Sequence, residues 1–138
     1  QGRVIYFAHP IFSQYHDNGP RWCKTLVCNA LDLLLPGRLV RHDGPSTLLA
    51  ALNEQPAQNR RVLHLLHYIP ERRGTAFDTI EEIIPLYHVG LSLRCAQPPL
   101  AVTLEPSGEP LAWQFEEGRL LLRVPTVMGH QMVVMTMG

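Results

Sequence analysis

The chain has 138 residues, 46% of them hydrophobic and 17% charged, and its 12 Lys+Arg balance 12 Asp+Glu. That length fits one domain, or a small domain with an appendage, and the apolar content supports a packed core and excludes disorder by composition. The zero net charge and scattered basic residues give no ground for a nucleic-acid partner, and no apolar run is long enough for a membrane span.

Taken in chain order, Arg3–Ala8 is a short apolar run rich in β-branched and aromatic residues, which predicts a strand buried on both faces. His9–Asn18 reads as a loop with one helical turn. Asn18-Gly19-Pro20 is a helix start, and Pro36-Gly37 is a stop. The helix between them, Pro20–Leu35, carries Trp22, Leu26, Ala30 and Leu33 at helical spacing, widened by Cys23, Val27 and Leu34. A lone strand–helix pair cannot bury that stripe. Residues 1–36 are therefore expected to be the end of an α/β domain, with the helix stripe packed on the β-sandwich that follows or on another copy of the chain. The cysteines, Cys23, Cys28 and Cys95, lack paired spacing, which points to free thiols in a reducing compartment. With no signal-peptide pattern at the start, the expected location is cytoplasmic.

From residue 37 to 138 the period changes to two, and the expectation is an antiparallel β-sandwich, making the chain mainly β. Strands are predicted at Thr47–Asn53, Arg61–Ile69, Leu86–Cys95, Leu100–Leu104, Leu111–Glu116, Leu120–Val124 and Gln131–Met135. In Leu86–Cys95 the alternation puts Tyr87, Val89, Leu91, Leu93 and Cys95 on one face, and His88, Gly90, Ser92 and Arg94 on the other. Leu91, Leu93, Trp113 and Phe115 are predicted core residues, and Glu117-Gly118 a two-residue hairpin turn.

No complete catalytic constellation is visible. His64 and His67 stand three apart, which in a strand places them on opposite faces. His88 or His130 could join one of them, but a cupin-like metal site also needs a third ligand on the same face. The expected roles are a half-buried, hydrogen-bonded His64 and a His67 at a strand edge. Cys23 and Cys28 fall in or beside an apolar helix stripe, as core thiols do. No serine has an activating motif around it. Glu81-Glu82 and Glu116-Glu117 are adjacent acids that point apart, whereas glycoside hydrolysis needs two carboxylates facing each other across a sugar. No catalytic, cofactor-binding or metal-ligating residue is assigned. Trp113, Tyr68 and Tyr87 are candidate sugar contacts, weighed against the core role that their alternating apolar faces suggest.

Gly2–Pro10, Tyr15 and the helix end Asn29–Pro36 resemble the end of the trimerisation-type α/β domain of family 42-like β-galactosidases and related hypothetical glycosyl hydrolases. Gly44–Thr47, Arg61–Tyr68 and Gly129–Val134 resemble the small C-terminal β-domain of those proteins. The resemblance implies a bacterial glycosyl hydrolase whose catalytic carboxylates lie in an upstream barrel, with no acid here matching them. It further implies a non-catalytic accessory region that braces the catalytic domain or aids assembly. A carbohydrate-binding module and a small cupin-like metal-dependent enzyme are the alternatives.

Overall fold

A computed structural model describes residues 2–138. The chain divides into two compact units, residues 1–38 and 39–138.

The first unit contains helices α1 (Ile11–Asn18) and α2 (Arg21–Leu34). The expected strand at residues 3–8 is absent: residues 2–7 take no regular structure, with Val4 90% exposed. An apolar run becomes a strand only when another strand satisfies its backbone N–H and C=O groups, and none pairs with it here. The expected single turn within 9–18 is a full helix, closed by Gly19 in the left-handed region. In α2 the buried line is rotated from the predicted one. Cys23 and Ala30 are buried and Val27 and Leu34 half-buried, whereas Trp22 is 54% and Leu33 63% exposed. The residues expected to widen the stripe are its centre. The break after the helix is secured by an ion pair between Arg38 and Asp32, which raises the Arg38 pKa through the hydrogen bond and the charge of Asp32.

The second unit is an antiparallel sandwich. Its strands are β1 (Val40–His42), β2 (Leu48–Gln55), β3 (Arg60–His67), β4 (Glu71–Arg72), β5 (Asp78–Thr79), β6 (Leu86–Arg94), β7 (Ala101–Glu105), β8 (Glu109–Pro110), β9 (Trp113–Glu116), β10 (Arg119–Val127) and β11 (Gly129–Thr136). Sheet A has the order β1-β6-β10-β9, sheet B the order β2-β3-β11-β7-β8, and β4-β5 form a separate ribbon. The ribbon is held by Arg72–Asp78 at 2.8 Å and by Arg73, which pairs with Glu71 and Glu81. Glu117 and Gly118, both at positive φ, make the two-residue turn between β9 and β10, a geometry whose twist matches that of the flanking strands.

The core lies between the sheets. Leu63, Leu65, Val133 and Met135 of sheet B meet Val89, Leu91, Leu93, Leu120 and Val124 of sheet A, and all are buried. Trp113 and Phe115 are only partly buried, because β9 is the edge strand of sheet A. Tyr87 departs from the predicted face and is 66% exposed. His88 has φ 55, and this left-handed residue shifts the alternation, so that Leu86 rather than Tyr87 turns toward the core with Val89. His67 is 2% exposed rather than at an open edge. Its Nδ1 lies 3.3 Å from Thr47 Oγ1.

Candidate functional site

The outward face of sheet A carries the most concentrated chemistry of the second unit. The ladders place Arg41 opposite Ser92, Ser92 opposite Leu121, and Leu121 opposite Gln114. The same face continues one way through Arg94, Arg119 and Glu116, and the other way through Gly90 and Arg123. A groove of about 610 Å³ runs over this face, lined by Arg41, Asp43, Gly90, Ser92, Gln114, Leu121 and Arg123 among others.

Each polar group is positioned by a backbone feature. The Gly90 N–H donates to Asp43 Oδ1 at 2.7 Å, while the Asp43 N–H donates to the Gly90 carbonyl at 3.2 Å. A Cβ on residue 90 would lie 2.7 Å from Asp43 Oδ2, so the missing side chain is what seats the carboxylate. Gly90→Ala is expected to displace Asp43 and cost about 1 kcal/mol, the worth of one such hydrogen bond. Urea denaturation curves for the two proteins check this, and superimposable curves would contradict the seating.

Arg119 donates from Nε to Ser92 Oγ at 2.6 Å and from Nη2 to the Ser92 carbonyl at 2.8 Å. Arg123 Nη1 donates to the His88 carbonyl at 2.6 Å. The Arg119 pKa is lowered, first by burial and then by the charges of Arg41 and Arg94. Among the described residues no carboxylate makes an ion pair with Arg41 or Arg94. The reading of the basic residues as scattered is therefore corrected. Positions 41, 94 and 119 are brought to neighbouring rows of one face by the β1–β6–β10 register, and Arg123 lies further along that face, opposite Gly90. The polar half of each strand's alternation was the available signal, but it cannot say which strands are neighbours.

The residues singled out in the sequence are mostly dispersed. Trp113 lines the groove while its bulk packs on the core. Tyr68 is half-buried against Gly129, and Tyr87 sits toward the far end of β6, opposite Thr126. The three aromatics do not form one platform. His64 and His67 lie on opposite faces of β3. His130 joins His64 on the outer face of sheet B, with Nδ1 and Nε2 3.0 Å apart and the rings stacked at 5.3 Å. Among the described residues no three His, Cys, Asp or Glu side chains are grouped to hold a metal ion. Glu81 is taken up by Arg73, and Glu116 sits opposite Arg119 in the ladder. No described helix is long and apolar enough to cross a membrane.

No protein-family model matches the chain, and no curated protein matches it. Among solved structures, alpha-L-fucosidase isoenzyme 2 from Paenibacillus thiaminolyticus is similar at 30% identity and a TM-score of 0.90. The similarity covers 96% of this chain and 20% of that one. The chain thus has the fold of a domain-sized part of a glycoside hydrolase, and it spans about a fifth of that relative's length.

Proposed function

We propose that the chain is a non-catalytic accessory region of a glycoside hydrolase, bracing a catalytic domain or aiding assembly. The observation that carries this is the match over 96% of the chain to only 20% of an α-L-fucosidase, at 30% identity. Two features support it. Among the described residues Asp43 is the carboxylate that lines the groove, and no second acid faces it, so no opposed carboxylate pair spans that pocket. The first unit also leaves Val4, Tyr6, Trp22 and Leu33 exposed, and the register of sheet B turns Leu49, Leu66, Met132 and Val134 away from the core. Apolar faces of that kind suit burial in a larger assembly. The fucosidase similarity and the resemblance to family 42-like β-galactosidases name the two glycosides to assay. The chain alone is expected to turn over neither an aryl α-L-fucoside nor an aryl β-D-galactoside. Steady release of the aryl group, abolished by Glu82→Gln or Glu116→Gln, would overturn the proposal.

A further inference from the structure

We infer that the outward groove of sheet A binds an acidic glycan, a sugar unit bearing a carboxylate or sulfate beside free hydroxyls. The inference builds on the glycoside-related reading above, but its evidence is the groove itself. Arg41 and Arg123 line the groove, Arg94 and Arg119 continue the same face just past its Ser92 row, and neither Arg41 nor Arg94 has a carboxylate in ion-pair contact. Guanidiniums so placed repel one another, and an incoming anion relieves that repulsion. Their planar donor forks match the paired oxygens of carboxylate and sulfate. Arg119 is already held by Ser92, so it loses little freedom on binding.

The remainder of the groove selects the kind of anion. Leu121 lies between Ser92 and Gln114 in the ladder and offers an apolar patch for the C–H face of a ring. One pair of residues further along, Asp43 is fixed by the Gly90 N–H. A fixed carboxylate accepts hydrogen bonds from hydroxyls and repels other carboxylates. Arg123 stands opposite Gly90 in that same row, and Glu116 opposite Arg119 at the other end, so each end carries both signs; an acidic glycan meets this mixture with its charge on the arginines and its hydroxyls on Asp43. An acidic peptide carries carboxylates without such hydroxyls and meets Asp43 as repulsion. The span from the Arg94 row to the Asp43 row is four residues, or about 13 Å at strand rise, which is room for a short oligosaccharide. The 610 Å³ volume is in keeping with that size.

Calorimetric titration of the chain tests this with a sulfated oligosaccharide, a uronate oligosaccharide, the desulfated form of the first, sodium sulfate and a hexaglutamate peptide. The charged sugars are expected to bind saturably, and more weakly as salt rises. Arg41→Gln and Arg94→Gln should each weaken them about tenfold, the loss of one charge-assisted hydrogen bond. Asp43→Asn should weaken the sugars without weakening inorganic sulfate. Thermal unfolding of each variant separates loss of the site from loss of the fold. Absence of binding overturns the inference, as does affinity unmoved by Arg41→Gln in a folded protein. Equal affinity for hexaglutamate would make the groove an acidic-peptide site, and equal affinity for sulfate alone an anion site only. Either result also overturns it. Aryl glycoside turnover by the chain would instead overturn the accessory role and leave these binding outcomes to stand or fall separately.

Discussion

Leu120→Ala is expected to lower the unfolding free energy of the sandwich by about 3 kcal/mol, within the range measured for burying and then deleting a leucine side chain. Leu120 is fully buried on β10, opposite Leu93 on one side and Phe115 on the other. It belongs to the cluster that includes Leu63 and Leu65 of the facing sheet. Truncation removes the leucine's transfer free energy and leaves a cavity that strands pinned on both sides cannot close. Total stabilities of about 5–15 kcal/mol make such a loss severe. Leu100 is the control. It is 71% exposed, and its replacement by Ala should change stability by no more than about 0.5 kcal/mol. Urea unfolding followed by circular dichroism reads both. Similar midpoints for the two variants would mean that the core is not centred between the sheets as described.

Gly129→Val is expected to be of comparable severity, by a different route. Gly129 opens β11 directly after the chain leaves β10, so it stands where the polypeptide passes from sheet A to sheet B. Its φ is 70, a left-handed conformation that costs a residue with a side chain roughly 1–2 kcal/mol, and that a β-branched residue adopts least readily. A Cβ there would also lie 2.7 Å from Tyr68 Oη and 3.0 Å from Cζ. The tyrosine ring occupies the space that a side chain needs. The combined loss is expected to be about 3 kcal/mol, since overpacking alone costs 1–3 kcal/mol. A double-mutant cycle divides the two causes. If the Oη clash matters, Gly129→Ala should cost less in a Tyr68→Phe background than in the wild type. Identical costs in both backgrounds would exclude the Oη clash and leave backbone strain and the ring carbons as the cause.

Much of this architecture was legible in the residues alone. Period-two alternation placed the long strands of the sandwich, and Glu117-Gly118 identified the hairpin between β9 and β10. Pro36-Gly37 marked the break in period close to where the units divide. These are local signals, in which a few adjacent side chains decide the conformation of their own backbone. The same logic failed where a partner decides. Residues 3–8 have the composition of a buried strand, yet a strand exists only in a ladder, and no neighbour pairs with them. The short strands β1, β4, β5 and β8 carry too little pattern to be seen without the strands they pair with. Tyr87 left its predicted face because one left-handed residue, His88, shifted the phase of the strand, and nothing in the histidine's identity requires that conformation. The groove was the least visible of all. Its Arg41, Asp43, Ser92 and Arg123 come from β1, the loop after it, β6 and β10, and each looks like an ordinary solvated residue of its own segment. Sequence determined which faces of the sheet A strands are polar, apart from the stretch displaced at His88. Only the tertiary register determined that those polar faces lie side by side, because pairing between distant strands is set by the packing of the opposite, apolar face.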